Sequence, residues 1–206
     1  MQVRIVCWVL AILWTAQDAK PTEQAWIPQR ASTPAFRFEV RAQENRDKRY
    51  LPQAFRVIDR RTGEVVQEES VNSSASREDP RHLIDVVDAN FDGMPDILLP
   101  NADGGAGPNY TLNFHLYDKR LRRFVYDAEL SELSQPEIRR NRTIVSSSRG
   151  GCCQHSSATY HFSKGELKLI AEWDQSLTPD GNWVVTTTRK LKAGRWHEHV
   201  KMSRPN

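Results

Sequence analysis

The chain has 206 residues, of which 38% are hydrophobic and 27% charged, the balance of an ordinary folded domain, and its length argues against two large ones. The formal net charge of +3 is mild, and the basic groups Arg120, Arg122, Arg123 and Arg139, Arg140, Arg142 have neither aromatic interleaving nor a nucleic-acid motif beside them. They read as solvated strand faces and loops, which argues against a nucleic-acid partner.

At the start of the chain Arg4 precedes a nearly unbroken apolar run over 5–13, followed by the small residues Ala16 and Ala19. This pattern predicts a signal peptide over 1–19 and a periplasmic or secreted product. The run is shorter than the roughly 20 apolar residues that span a bilayer, and no later segment approaches that length. Cleavage removes Arg4 and Asp18 together, so the net charge is unchanged, and it leaves Cys152 and Cys153 as the remaining cysteines. Adjacent Cα atoms sit about 3.8 Å apart across a trans peptide, below the usual disulfide range. Free thiols, a strained vicinal bridge and an intermolecular bridge all stay open. A shared metal site with His155 is disfavoured, because consecutive strand residues point to opposite faces.

Pro21, Pro28 and Pro34 lie among polar residues, which predicts a flexible leader over 20–35 and a β-rich domain over 36–206. From Phe36 onward the signal is all-β: short alternating runs rich in Val, Ile, Thr, Tyr and Phe, separated by turn residues. Four hairpins can be read directly. They join 55–58 to 65–71 across Arg61, Thr62 and Gly63; 112–117 to 124–126; 158–162 to 167–173 across Lys164 and Gly165; and 183–188 to 196–201 across Ala193 and Gly194. One helical turn is expected over 128–133, before Pro136. The result is an antiparallel meander suited to a barrel, a sandwich or a propeller-like stack of small sheets.

The most specific feature is the run Asp88, Ala89, Asn90, Phe91, Asp92, Gly93, Met94, Pro95, Asp96. Oxygen-bearing side chains at loop positions one, three, five and nine, with glycine at six, suit a hard cation wrapped by a tight chain. Met94 at position seven offers its backbone carbonyl. Leu99 stands where an EF-hand has its bidentate glutamate, and the flanks read as strands, so the loop links β-elements. Calcium is the expected cofactor, since magnesium demands stricter octahedral geometry. The competing reading is an Asx-rich turn without metal.

A glycine-rich loop over 101–110 follows, with Asp103, Gly104, Gly105, Asn109 and Tyr110 as candidate partner-binding residues. Tyr110 serves either as a recognition aromatic or as the first inward residue of the next strand. Asn72, Asn109 and Asn141 open glycosylation sequons. His197 and His199 share one strand face, a spacing that can bind zinc, though no third ligand is evident nearby. No nucleophile elbow, zinc-protease motif or phosphate loop is present. Carboxylates such as Glu129, Glu132 and Glu137 are scattered, so a hydrolase reading has no further support.

Several segments in order resemble a family of bacterial periplasmic proteins. They are 84–93 (IDVVDANFDG), 107–110 (GPNY), 116–118 (LYD), 123–125 (RFV), 146–150 (SSSRG), Thr159 with Tyr160, and 165–170 (GELKLI), under half of the chain. One branch of that family comprises immunity proteins against lysozyme-like peptidoglycan hydrolases delivered by antibacterial type IV secretion systems. The resemblance implies a β-propeller-like domain with one calcium, held by Asp88, Asn90, Asp92, Met94 and Asp96, and an inhibitory loop that plugs a hydrolase cleft. Here the candidate loop is short and glycine-rich, without the bulk of a plug. The expectation is an exported, non-enzymatic calcium-binding protein that inhibits a peptidoglycan hydrolase; the alternative is a calcium-dependent adhesion or envelope-interaction module.

Overall fold

A computed structural model describes residues 24–104, 109–151, 153–163 and 165–205. The expected signal peptide, Gly105 and Cys152 lie outside them. Three antiparallel sheets follow one another along the chain. The first holds β1 (Trp26–Ser32), β2 (Phe36–Glu44), β3 (Tyr50–Asp59) and β4 (Val65–Ser70). The second holds β5 (Asp85–Val87), β6 (Asp96–Gly104), β7 (Asn109–Asp118) and β8 (Arg123–Asp127). After the helical turn α1 (Ala128–Ser131), the third holds β9 (Glu137–Arg139), β10 (Thr143–Arg149), β11 (His155–Ser163), β12 (Glu166–Leu177), β13 (Val184–Lys192) and β14 (Arg195–Ser203). Each sheet is a meander in strict chain order.

All four expected hairpins are present, as β3 with β4, β7 with β8, β11 with β12 and β13 with β14. Their turns show why. Asp59 Oδ1 accepts from the N–H groups of Arg61 and Thr62 at 2.8 and 3.0 Å, and Asp118 Oδ1 does the same for Arg120 and Leu121 at 2.7 and 2.9 Å. A carboxylate at the strand end thus reverses the chain in both. Between β13 and β14, Ala193 and Gly194 lie at φ 49° and 76°, the paired left-handed residues of a tight hairpin turn. The short helix is capped where Asp127 Oδ1 accepts from Leu130 N at 2.9 Å.

Two cores hold the sheets together. Phe38, Val40, Phe55 and Val57 of the first sheet pack against Ile97, Leu99 and Phe124 of the second. On the other side, Leu98 and Phe114 of the second sheet pack with Leu130, Ile144 and Phe162. The second sheet is therefore covered on both faces, and β6 is buried from Asp96 through Pro100. A strand buried on both sides reads as an unbroken apolar run rather than an alternating one.

Two expectations are corrected. Residues 26–32, placed in a loose leader, form β1, paired with β2 through Trp26↔Arg41, Ile27↔Val40 and Pro28↔Glu39. β1 is the outer strand of its sheet, where proline's missing N–H costs no ladder bond. The propeller-like arrangement is also not found: the described residues form three meander sheets joined in series by two cores, with no closed barrel or propeller.

Candidate functional site

The cation-type loop lies between β5 and β6, whose pairing ends at Val87↔Asp96. Its odd and even residues divide the work. Ala89 is fully buried in the second core and Phe91 packs against it, while Asp88, Asn90 and Asp92 turn their oxygens onto the loop's own backbone. Asp92 N donates to Asp88 Oδ1 and to Asn90 Oδ1, both at 3.0 Å, and Gly93 N donates to Asp88 Oδ2 at 3.0 Å. Met94 N donates to Asp92 Oδ1 at 2.7 Å. Phe91 at φ 60° and Gly93 at φ 82° supply the two left-handed steps that wind the chain. From outside, Arg142 Nη2 donates to Phe91 O at 3.0 Å, and Lys119 Nζ lies 4.0 Å from Asp92 Oδ2.

Asp96 behaves differently. It has no exposure; its Oδ2 accepts from Ala89 N and its Oδ1 from Tyr117 N, both at 2.8 Å. Burial pushes its carboxyl up to about 6; the N–H groups of Tyr117, Ala89 and Asn90 oppose that rise, and the nearby Asp92 charge adds to it. The donor set suits a hard cation in kind, since Asp88, Asn90, Asp92, Asp96 and the Met94 carbonyl all present oxygen. In this conformation the Asp88, Asn90 and Asp92 oxygens accept from the loop's own N–H groups, while Asp96 divides its two between Ala89 N of the loop and Tyr117 N of β7. Among the described residues no three His, Cys, Asp or Glu side chains gather into a metal cluster, including around His197 and His199.

The candidate recognition segment is more ordered than expected. β6 continues to Gly104 and β7 begins at Asn109, with Asp103↔Tyr110 and Gly104↔Asn109 in register, so 101–104 and 109–110 extend paired strands rather than an irregular loop. The tip of this hairpin, Gly105 included, lies outside the described residues. Asn101 O accepts from Ser74 N at 2.6 Å and Ala75 N at 3.1 Å on one side. On the other, Asn109 Oδ1 accepts from Arg149 N at 2.9 Å while Asn109 Nδ2 donates to Arg149 O at 2.7 Å. Gln135 Nε2 also donates to Asn109 Oδ1 at 2.9 Å, and Gln135 N donates to Tyr110 O at 2.7 Å. Asn109 is therefore a brace, while Asp103, Gly104 and Tyr110 are exposed, Tyr110 at 40%. That exposure places Tyr110 on the surface rather than in the core. Beside it is a hollow of about 270 Å³ lined by Arg49, Ser76, Arg77, Asp85 and Asp103.

The cation-type loop and the hairpin tip adjoin in sequence but not in space. They occupy opposite ends of β6, a strand from Asp96 to Gly104, which at about 3.3 Å per residue separates them by roughly 25 Å. The neighbours of Asn101, Asn109 and Tyr110 are instead Ser74, Gln135 and Arg149, the last of which ends β10.

Two features escaped sequence reading. His115 on β7 is 5% exposed, with its ring 4.8 Å from Phe55 and 5.6 Å from Tyr126. Its Nδ1 makes no hydrogen bond and lies 3.6 Å from Glu69 Oε2. Burial depresses its pKa to about 4; Glu69 would oppose this, but it is partly solvated and stands beyond hydrogen-bond distance, so burial wins. Its alternation with Asn113 and Tyr117 was the available signal. The second feature is a trough of about 310 Å³ on the third sheet, lined by Ser146, Ser148, Ser156, Glu172, Asp174 and Arg189, with Arg189 Nη1 2.7 Å from Glu172 Oε2. The scattered carboxylates Glu129, Glu132 and Glu137 are all exposed. Arg139, 2.8 Å away, holds Glu137 below its usual range, the reverse of what a general acid needs.

No protein-family model matches the chain, and no curated protein does either. A solved structure described as a Xanthomonas type IV secretion system related protein matches it with a TM-score of 0.62 and 19% identity, over 88% of this chain and 96% of that one. At that identity the likeness shows the fold alone. Among the described residues no helix is long and apolar enough to cross a membrane.

Proposed function

We propose that this is an exported binding protein that inhibits a lysozyme-like peptidoglycan hydrolase, with the β6–β7 hairpin as the contact element and calcium as a stabilising ion at the far end of β6. The observation that carries this reading is the hairpin itself. Its base is fixed by Asn101 and Asn109, while Asp103, Gly104 and Tyr110 are presented to solvent. A braced pair of strand ends with Asp103, Gly104 and Tyr110 exposed beside it suits contact with a concave cleft at low entropic cost. The link to secretion comes from the sequence resemblance and from the structural neighbour, described as a type IV secretion system related protein.

Calcium enters as a separate part of the proposal. An ion among Asp88, Asn90, Asp92 and Asp96 would offset the burial of the Asp96 carboxylate and its repulsion from Asp92. Each carboxylate oxygen that accepts one N–H keeps a second lone-pair direction for a metal. Because β6 separates the two sites, calcium acts on stability and not on the tip.

The test is titration of the protein into peptidoglycan turnover by a panel of lysozyme-like hydrolases, with calcium and with chelator. Stoichiometric inhibition of one of them is expected in both conditions. Absence of inhibition and of binding across the panel sinks the inhibitor reading and leaves envelope adhesion.

A further inference from the structure

The C-terminal hairpin stands apart from both cores. Every residue of β14 is exposed, and β14 forms the outer edge of its sheet. Register places Lys192 opposite Arg195, Lys190 opposite His197, Thr188 opposite His199 and Thr186 opposite Lys201. Directly opposed residues share a face, so four permanent cations and two histidines line one side of a two-stranded ribbon. The residues of β12 that continue this face are Ala171, Trp173 and Gln175, so no carboxylate answers them. Among the described residues Lys190, Lys192, Arg195 and Lys201 have no ion-pair partner, whereas on the opposite face Arg189 pairs with Glu172 and Glu198. That opposite face carries Leu191, Trp196, Val200 and Met202, exposed at 38%, 40%, 51% and 53%.

We propose that this hairpin docks by its β14 edge on an anionic phospholipid surface. In an edge-on approach both rows of β14 reach the surface together: the cations meet headgroup phosphates while Trp196, Val200 and Met202 enter the interfacial layer. An amphipathic element with lysine and arginine on one side and tryptophan on the other binds in this way through buried apolar area and attraction to anionic lipid. The unpaired N–H and C=O groups of β14 stay in the wet headgroup zone, where water satisfies them, so the element lies on the bilayer and does not cross it. A second copy of the chain is a poor occupant, because antiparallel pairing of two β14 edges would set like charges side by side. A single-stranded nucleic acid fits less well, since the aromatic on the cationic face, Trp173, stands back on β12 and is half-buried, and the apolar row of Trp196, Val200 and Met202 would stay uncovered.

The experiment uses the protein without residues 1–19; every described strand begins at Trp26 or later. It measures co-sedimentation with vesicles of phosphatidylcholine alone and of phosphatidylcholine with phosphatidylglycerol, at low and high salt. Binding is expected only with phosphatidylglycerol and is weakened by salt. Replacing Lys190, Lys192 and Lys201 by Gln removes three cations, at roughly fivefold each, and lowers binding on the order of a hundredfold. Trp196→Ser lowers it about tenfold. Thermal melting of each variant checks that the fold is intact. Equal binding to neutral vesicles, no binding to anionic ones, or unchanged binding by the triple variant overturns the proposal. So does an oligonucleotide that binds tightly, depends on the lysines and ignores Trp196, with no vesicle binding beside it.

Discussion

Tyr117 N donates to Asp96 Oδ1 at 2.8 Å, so a side chain supplies an acceptor to a β7 backbone donor and stitches β7 to the loop that precedes β6. The other carboxylate oxygen accepts from Ala89 N inside the second core. Asp96→Ala orphans the buried Ala89 N–H, at about 1–3 kcal/mol, and the half-buried Tyr117 N–H at less. Asp92→Ala removes an acceptor only from the exposed turn, at Met94 N, and should cost less than about 1 kcal/mol in chelator. The two variants therefore separate architecture from metal. Urea denaturation in chelator should show a large loss for Asp96→Ala and a small one for Asp92→Ala. Melting with added calcium should rise for the wild type and stay flat for Asp92→Ala. A calcium shift that survives Asp92→Ala removes this loop as the site.

Stability between pH 4 and 6.5 should reflect two buried groups working against each other. His115, depressed to about 4, contributes stability that is complete above about 6.5 and is lost as pH falls toward 4, up to about 3 kcal/mol. Asp96, raised to about 6, contributes stability that is complete below about 3.8 and is lost as pH rises through 6. In calcium-free buffer the wild type should therefore show a shallow profile. His115→Gln leaves the Asp96 slope alone, so its unfolding free energy should fall steadily from pH 4 to 6. A variant profile parallel to the wild type would place the titration elsewhere.

Turn chemistry made three of the hairpins legible, because Gly63, Gly165, and Ala193 with Gly194 act within a few residues of chain, whereas the closing carboxylates of Asp59 and Asp118 emerge from the structure. Packing between sheets was not legible. The run Ile97, Leu98, Leu99 announces burial on both faces, but not that Ile97 and Leu99 serve the first core while Leu98 serves the second. Pro28 hid β1, since a proline in a short polar stretch looks like a leader unless an outer sheet position is known. The loop and the glycine hairpin look adjacent in sequence because only residues 97–100 lie between Asp96 and Asn101; an extended strand running on to Gly104 turns that short spacing into a long distance.

One polar contact between the first and second sheets is testable by itself. Gln67 Nε2 donates to Phe124 O at 2.7 Å, and Gln67 Oε1 accepts from Phe124 N at 2.8 Å, so a β4 side chain stands in for a neighbouring strand beside β8. Gln67 is 8% exposed, and Phe124 belongs to the first core. Gln67→Leu leaves a buried N–H and C=O unpaired and should cost about 2–4 kcal/mol. Gln67→Glu keeps the acceptor but loses the donor, and below its pKa the protonated acid regains one. Its loss should therefore shrink on acidification, where Gln67→Leu shows no such recovery. Urea titration of both variants at two pH values checks this.

Tyr110 and Asn109 are neighbours on β7 with opposite expected roles. Tyr110 is exposed at 40% and its carbonyl accepts from Gln135 N, a backbone bond that Tyr110→Ala keeps, so the substitution should leave melting nearly unchanged. If the ring is the anchor in a hydrolase cleft, its removal weakens inhibition by on the order of 2 kcal/mol, about thirtyfold. Asn109 holds Arg149 through two hydrogen bonds and does not present its amide to a partner. Asn109→Ala should therefore lower stability by about 1–2 kcal/mol and weaken inhibition only through a looser base. Inhibition constants for the two variants, read beside their melting temperatures, check the division. Should Tyr110→Ala inhibit like the wild type while Asn109→Ala does not, contact with the hydrolase moves from the hairpin ring to the neighbouring turn over 150–155, which Asn109 positions through Arg149.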